Sequence, residues 1–377
     1  MESMIGAYGD WAATQFVSDP PALSYRREGW ADLDAWRAQA LAALEEKLLG
    51  PTLPAPGDVT VLAEHREDGL CIEELQWQLP YGPPTRAARL RPADQSGPLP
   101  AILALHCHGG LKFWGHEKIT RYGQQHPLMV AHQAQYYSGR AWANEVAKRG
   151  YVVLAPDAFP FASRRVRLAD VPEELRQGVT DPALSDHEGI ARYNAWAAQH
   201  ESVMAKSLFC AGTTWPGVFL AEDRAALEVL LATPGVDRAR IGCCGLSGGG
   251  MRTDYLAGTD RRIACAVSVG LMSTWRDFCL NKSANHTWMT YIPGIPPLLD
   301  FPEILGLRVP QPTLVLFDEQ DELFTLPEMH RADDILAEVY ARAGAPQAYR
   351  GSFHPGPHKF DAAMQEEAFD WFDRWLK

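Results

Sequence analysis

Short apolar runs recur along the chain and end in polar or glycine-rich turns. Such runs are typical of parallel strands that are buried on both faces of a sheet. They lie at 101–110, 151–159, 240–250, 263–270 and 313–321. Segments with apolar residues at helical spacing lie between several of these runs: 138–149, 218–232, 326–343 and 359–376. We expect Ser138 to begin the first of these helices. The alternation predicts the α/β class with a doubly wound, mostly parallel sheet.

The first part of the chain has a different pattern. Apolar residues at 33–49 follow near-helical spacing, which predicts an amphipathic helix. Short segments rich in Val, Ile, Thr and Leu then extend from Val59 to Leu90, and they predict antiparallel strands at one edge of the sheet. We therefore expect an N-terminal helical extension over residues 1–57 and one main α/β domain over residues 58–377.

Two segments, near 159–215 and near 271–310, interrupt the alternation. Long insertions after strands usually shape binding sites, so we expect both to form cap-like segments or pocket walls. Arg164 and Arg165 are candidates for holding an anionic substrate group, with salt bridges to nearby acids as the alternative. Four tryptophans in loops or insertions are candidates for stacking on sugars or lining an apolar pocket, with core packing as the alternative: Trp114, Trp215, Trp275 and Trp288.

Composition and charge exclude several classes of partner. The chain carries 35 Lys and Arg against 47 Asp and Glu, a formal charge of −12, which would repel a nucleic-acid backbone. The N-terminal residues contain no basic stretch followed by an apolar run, and eighteen consecutive apolar residues occur nowhere. We therefore expect no nucleic-acid partner, no membrane contact and a cytoplasmic location.

Cysteine and histidine positions give no metal pattern. The 7 cysteines lack paired C-x-x-C spacing, so reduced structural thiols are the simplest interpretation: Cys71, Cys107, Cys210, Cys243, Cys244, Cys265 and Cys279. Four neighbouring side chains of metal-ligating type lack a recognised ligand spacing: His116, Glu117, His126 and His132. Glycine-rich nucleotide-binding motifs are also missing from the sequence. We predict no metal and no cofactor.

One motif carries nucleophilic chemistry. Gly245-Leu246-Ser247-Gly248-Gly249 fits G-x-S-x-G directly after the apolar run RIGCC and before a plausible helix near Gly250. In such a nucleophile elbow the serine occupies a strained turn, and flanking glycines remove side chains that would collide there. The alternative is a glycine-rich turn with an inert serine. The context favours Ser247 as a nucleophile.

A serine nucleophile needs a histidine base and a carboxylate that orients the base, and these follow the serine along the chain. Asp321 lies a few residues past the run TLVLF and leads as the acid, with Asp318 as the reserve. His358 directly precedes the last predicted helix and leads as the base, whereas His354 lies between Phe and Pro in a loop. We therefore predict the triad Ser247, His358 and Asp321.

The oxyanion of such a reaction needs backbone donors. His108-Gly109-Gly110 follows the run AILALHC, where hydrolases of this kind place the second donor. We expect the amide of Gly110 or Leu111, together with that of Gly248, to stabilise the oxyanion. The alternative is a tight turn in which His106 and His108 only pack, and we interpret His108 itself as structural.

These motifs resemble the dienelactone-hydrolase-like and acetyl-xylan-esterase-like branch of the α/β-hydrolases. The resemblance extends from about Pro100 to the C-terminus and rests on HCHGG, GRAWANEVAKRGYVVLAPDAF, GVDRARIGCCGLSGGGMRTDYLAGTDRRI and PHKFDAAMQEEAFDWFDRWL. It implies the α/β-hydrolase fold, and the loop DEQDELF implies that the catalytic aspartate is Asp321. Asp318 stands where that loop usually has glycine. Dienelactone hydrolases use cysteine where this elbow carries Ser247, so lactone specificity does not transfer.

The leading hypothesis is therefore a serine carboxylic ester hydrolase that works through an acyl-enzyme on a small-molecule ester. The resemblance implies short acyl groups such as acetyl. A peptidase or amidase is the second hypothesis, because the same triad cleaves amides. A catalytically silent binding protein with a hydrolase fold is the third. The sequence leaves the oligomeric state open.

Overall fold

The computed structural model describes residues 3–16 and 19–377. Its strands are β1 (Thr60–Glu67), β2 (Leu70–Trp77), β3 (Thr85–Pro92), β4 (Leu99–Leu105), β5 (Val152–Pro156), β6 (Val236–Leu246), β7 (Ile263–Val269), β8 (Thr313–Asp318) and β9 (Tyr349–His354). They form one nine-stranded sheet in the order β1-β2-β3-β5-β4-β6-β7-β8-β9.

The sheet is antiparallel at one edge and parallel elsewhere. The pairs β1·β2, β2·β3 and β3·β5 are antiparallel, as predicted for this edge. The pairs β4·β5, β4·β6, β6·β7, β7·β8 and β8·β9 are parallel. Residues Leu103 and Leu105 of β4 pack into the core on one face, and Ile102 and Ala104 pack into the core on the other. Because both faces are covered, continuous apolar runs are the expected pattern, and the predicted fold class is confirmed.

Helices cover both faces of the sheet. Their bounds are α1 (Gly9–Phe16), α2 (Leu33–Leu48), α3 (Pro127–Tyr137), α4 (Trp142–Lys148), α5 (His187–Cys210), α6 (Trp215–Ala232), α7 (Gly248–Thr259), α8 (Phe301–Gly306), α9 (Leu326–Arg342) and α10 (Ala362–Leu376). Helix α2 packs Trp36 and Leu44 into the main core, so the extension shares the core of the sheet domain. Across the described residues, no helix is long and apolar enough to span a bilayer.

One helix start was predicted wrongly. Ser138 ends α3 instead of beginning α4: its φ is 54°, and its amide donates a hydrogen bond to the carbonyl of Gln133. A residue in the left-handed region with a glycine after it terminates a helix. The Ser138 hydroxyl accepts a hydrogen bond from the amide of Ala362 at 3.2 Å, which ties this turn to the start of α10.

The two insertions differ in structure. Much of 159–215 is the long helix α5, which was not predicted from the sequence. The segment 271–310 consists of short helical turns and α8. Both come after strands of the parallel part of the sheet, β5 and β7, so both lie near the carboxyl ends of these strands.

Candidate active site

Ser247 lies on the sharp turn between β6 and α7. Its φ of 58° and ψ of −120° are strained for a residue with a side chain, a cost of order 1–3 kcal/mol. The turn is fixed by hydrogen bonds from the Ser247 amide to the carbonyl of Val269 (2.8 Å) and from the Met251 amide to the carbonyl of Ser247 (2.9 Å). The backbone conformation is the one that a nucleophile elbow requires.

The glycines around the serine have a steric reason. A Cβ atom on Gly245 would lie 2.5 Å from the carbonyl oxygen of Leu105 in β4, and one on Gly249 would collide with the same oxygen. A Cβ atom on Gly248 would lie 3.0 Å from the amide nitrogen of His108. The elbow thus lies in close contact with the end of β4, and residues larger than glycine would force the two segments apart.

A cavity of about 240 Å³ opens above the elbow, and both Ser247 and His358 line it. Its wall includes Gly110 from the turn after β4 and Phe161 from the first insertion. The second insertion contributes a larger share: Leu271, Asn285, His286, Thr287, Met289 and Thr290. The structure therefore brings both insertions to the cavity that holds the serine.

Asp321 holds His358 by its ring. The Nδ1 atom of His358 lies 2.6 Å from Oδ2 of Asp321, and the other carboxylate oxygen accepts a hydrogen bond from the amide of Leu323 at 2.9 Å. The Asp321 side chain is 1% exposed and that of His358 is 18% exposed, so the pair points from the protein interior to the cavity. With Nδ1 donating to the carboxylate, Nε2 is left as the basic nitrogen.

Asp318 makes different contacts. Its Oδ2 accepts a hydrogen bond from the backbone amide of Lys359 at 3.0 Å, and its Oδ1 is buried without a partner among the described residues. Burial raises the pKa of Asp318 to about 7. A carboxyl group that is half-protonated near neutral pH is poorly suited to stabilise an imidazolium. Asp321 therefore contacts the ring of His358, whereas Asp318 contacts the backbone amide of the next residue, Lys359.

His354 is engaged away from the cavity. Its Nε2 lies 2.9 Å from Oε2 of Glu367 and 3.4 Å from the hydroxyl of Ser352. These partners lie on β9 and α10, whereas His358 lies in the loop between them. Of the two candidate histidines, the structure brings only His358 to the wall of the serine cavity.

The turn after β4 departs from the expectation for the oxyanion donors. The amide of Gly110 donates to Nδ1 of His108 (3.0 Å), and the amide of Leu111 donates to the carbonyl of His108 (3.3 Å). Both amides are therefore occupied within the turn. The amide of His108 has no acceptor among the described residues and adjoins Gly248, as the 3.0 Å approach shows. As the first residue of α7, Gly248 has no acceptor for its amide within that helix.

A buried lysine orients this turn, although no sequence motif marks it. The Nζ atom of Lys118 donates hydrogen bonds to the carbonyls of Cys107 (3.0 Å) and His108 (2.8 Å), and its side chain lies over the ring of Phe161. In a trans peptide the carbonyl and the following amide point in opposite directions. Lys118 therefore turns the amides of His108 and Gly109 away from itself. Burial lowers the pKa of Lys118 to about 8.

His108 links the turn to the first insertion. Because its Nδ1 accepts from Gly110, its Nε2 carries the proton and donates to Oε1 of Glu201 on α5 at 3.2 Å. Glu201 also accepts from Lys112, whose side chain is 3% exposed. This network gives the His108 side chain a structural role. Glu201 is a second contributor to the turn that no sequence motif marks.

The other candidates fall into two groups. Trp215 and Trp275 are buried in the main core, whereas Trp288 is 44% exposed and Trp114 lines a different cavity. Arg164 forms a buried salt bridge with Glu222 at 2.6 Å, as its alternative interpretation predicted. The neighbouring Arg165 forms no ion pair among the described residues and packs over the ring of Phe113.

The structure also places the cysteines and the candidate metal ligands. All seven cysteines are free thiols. Five of them are buried or half-buried and pack in the core. His132 lies 3.3 Å from Cys107 Sγ, and His126 caps the start of α3. His116 and Glu117 come together with Asp157 within 4.8 Å. Both ring nitrogens of His116 already have partners, Asp157 at 2.8 Å and the hydroxyl of Tyr122 at 3.0 Å. The absence of a metal stays a prediction.

Comparison with known proteins supports the architecture. No protein-family profile matches the chain. YtaP of Bacillus subtilis (strain 168), which is provisionally named a hydrolase, is 26% identical over 320 residues, 84% of this chain and 92% of YtaP.

Two solved structures have a similar fold. A protein of Bacteroides fragilis NCTC 9343, provisionally described as an acetyl xylan esterase, superposes with a TM-score of 0.63 at 18% identity, covering 93% of this chain and 83% of its own. A glucuronoyl esterase from Solibacter usitatus superposes with a TM-score of 0.62 at 16% identity, covering 95% and 97%. Together with the sheet and its elbow, these similarities show the α/β-hydrolase fold.

Proposed function

We propose that the chain is a serine carboxylic ester hydrolase that works through an acyl-enzyme. The observation that carries the proposal is that Ser247, on a strained elbow, shares a cavity with His358, whose Nδ1 is held by Asp321 at 2.6 Å. A nucleophile, a base and an orienting acid in this arrangement support acyl transfer. The esterase descriptions of the two superposed structures support ester chemistry in this fold.

The first half of the reaction forms the acyl-enzyme. Nε2 of His358 accepts the proton of the Ser247 hydroxyl while Oγ attacks the ester carbonyl carbon. Asp321 stabilises the resulting imidazolium through Nδ1. The tetrahedral intermediate then collapses, the bond to the alcohol oxygen breaks, and His358 returns the proton to the departing alcohol.

The second half releases the acid. A water molecule gives a proton to His358 and attacks the acyl carbon, and collapse of the second intermediate returns the proton to Ser247. Both intermediates carry an oxyanion. We assign its donors to the amides of Gly248 and His108, since those of Gly110 and Leu111 already donate within the turn. Losing one such donor typically costs about 3 kcal/mol of barrier.

The size of the cavity supports a small acyl group. Its volume of about 240 Å³ lies below the range of roughly 300–1,000 Å³ that is usual for sites of drug-sized ligands. Apolar side chains such as Phe161, Leu271 and Met289 line it. A short acyl chain, such as acetyl, fits a cavity of this size with apolar walls.

A substrate series tests the proposal. Nitrophenyl esters of increasing acyl length and an aminoacyl nitroanilide are assayed with the wild-type protein, with Ser247→Ala and with Ser96→Ala, whose serine is exposed. We expect turnover of acetyl and butyryl esters, little turnover of the anilide, loss of activity in Ser247→Ala and full activity in Ser96→Ala. Faster anilide cleavage would favour the amidase hypothesis, and equal activity in Ser247→Ala would refute the serine mechanism.

A further inference from the structure

A second cavity lies beside the active-site cavity and has a different character. Its volume is about 610 Å³, and it is lined by the start of β3, the loop after β4 and the first insertion. Phe161 lines the active-site cavity, and the next residues, Ala162 and Ser163, line this one. The two cavities are therefore neighbours at the carboxyl ends of β4 and β5, where ligands of open α/β sheets usually bind.

The lining of this second cavity concentrates unpaired positive charge. Four guanidinium groups contribute to it: Arg86, Arg121, Arg165 and Arg167. In the part of the chain that the structure describes, none of them lies within 4.0 Å of a carboxylate oxygen. Arg164, adjacent in sequence, is paired with Glu222 instead. Acidic side chains are plentiful on a chain with a formal charge of −12. That these four arginines form no ion pair among the described residues therefore favours an anionic ligand in this cavity.

Three donor atoms of the lining have no acceptor among the described residues. They are Nε of Arg165, Nε2 of Gln125 and Nε1 of Trp114, a residue that is 5% exposed. Arg121 donates only to neutral oxygens, those of Gln133 and of the Gly139 carbonyl. Buried donors are normally paired. A ligand that offers only acceptors would satisfy them.

Two carboxylates also line the cavity, and both are accounted for. Asp157 accepts hydrogen bonds from the amide of His116 (2.9 Å), from the Ser163 hydroxyl (2.7 Å) and from Nδ1 of His116 (2.8 Å). Burial opposes protonation of His116, but the charges of Glu117 and Asp157 raise its pKa well above the usual value. His116 therefore carries a positive charge that balances one carboxylate. Glu117 accepts a hydrogen bond from the amide of Gly115. The net charge of the lining stays positive, because it contains four arginines and two carboxylates.

We propose that this second cavity binds the oxyanion group of a small molecule, a carboxylate or a phosphate, through Arg86, Arg165 and Arg167. Guanidinium groups present donors in a fixed fork that matches both anions. Arg165 is held over the ring of Phe113, 4.7 Å from its centroid, which preorganises its fork. The proposal concerns a binding site separate from Ser247 and holds whether or not the chain hydrolyses esters.

The test measures binding with the Ser247→Ala protein, so that catalysis plays no part. Inorganic phosphate and glucuronate are titrated by calorimetry, and Arg165→Gln and the double variant Arg86→Gln/Arg167→Gln are compared with it. Arg91→Gln is the matched control, because Arg91 is exposed on the same strand as Arg86 and forms no ion pair among the described residues. Thermal midpoints establish that each variant is folded.

We expect binding of at least one anion at millimolar concentration or below, weakened about tenfold for each guanidinium removed and unchanged in Arg91→Gln. Added salt weakens the binding, as it does for exposed charges. Tighter binding of phosphate identifies a phosphate site, and tighter binding of glucuronate identifies a carboxylate site. Failure of both anions to bind, or an equal loss in the Arg91→Gln control, would overturn the proposal without affecting the ester mechanism.

Discussion

The carboxylate of Asp318 accepts a hydrogen bond from the backbone amide of Lys359 at 3.0 Å and thereby anchors the segment that carries His358. Three residues later in the chain, Asp321 holds the ring of His358 itself at 2.6 Å. One aspartate therefore positions the backbone of the base, and the other makes contact with its imidazole. This division of roles leads to different expectations for the two side chains.

Asp321→Asn should lower kcat by about 10⁴-fold, because the amide removes the charge that stabilises the imidazolium and favours the wrong tautomer. Asp318→Asn should lower it by less than about tenfold, since an asparagine oxygen can still accept from the Lys359 amide. Steady-state kinetics on both variants, with their thermal midpoints, check this. A severe loss for Asp318→Asn with a mild one for Asp321→Asn would exchange the roles.

The two histidines give a second matched pair. His358→Ala should lower kcat by about 10⁴-fold to 10⁶-fold because the serine loses its base. His354→Ala should leave kcat nearly unchanged and lower the thermal midpoint, since it removes the contact with Glu367 between β9 and α10. Kinetic and melting measurements on both variants separate the effects. Near-normal kcat for His358→Ala would remove it from the mechanism.

Asp318 also predicts a pH dependence of stability. Its pKa is about 7 in the folded protein, raised by burial, and about 3.9 in the unfolded chain. Between these values the folded state binds more protons than the unfolded state, so its contribution to the free energy of unfolding falls as the pH rises. Asp318→Asn removes this contribution. Denaturant unfolding from about pH 4 to pH 7 should show the variant gaining stability relative to wild type as pH rises; a constant difference would contradict this.

Lys118 should act as a positioning residue for the oxyanion donors. Lys118→Met removes the hydrogen bonds to the carbonyls of Cys107 and His108, so the His108 amide loses its fixed direction. We expect kcat to fall by about 10²-fold with KM little changed, the signature of an interaction made in the transition state. Lys206→Met, on the exposed face of α5, is the control. A rise in KM with kcat unchanged would instead assign Lys118 to substrate binding.

Much of the fold is predictable because the spacing of apolar residues along the chain matches the positions that are buried in the structure. The parallel strands appear as continuous apolar runs, since Leu103 and Ile102 face opposite cores. Helix α5 was missed although its buried residues Ile190, Tyr193 and Ala197 recur at helical spacing. Many polar residues between them obscured that signal. The wrong start at Ser138 has a local cause, because the serine precedes a helical pattern and also follows one.

The candidate site is predictable where chain order and chemistry coincide. Ser247, Asp321 and His358 follow from motif and order, and the structure brings Asp321 and His358 into contact. The oxyanion turn was less predictable, because which amide stays unpaired depends on Lys118 and on the side chain of His108. Those contacts join residues whose spacing has no recognised motif, so only the folded chain reveals them.

Covalent labelling distinguishes a Ser247 that His358 activates as a nucleophile from an inert serine. The wild-type protein, Ser247→Ala and His358→Ala are each treated with a fluorophosphonate, and peptide masses identify the modified residue. The mechanism predicts rapid modification of Ser247 in the wild-type protein, none at this position in Ser247→Ala, and a reaction slowed by orders of magnitude in His358→Ala. An unmodified Ser247 in the folded wild-type protein, or a label on another residue, would contradict it.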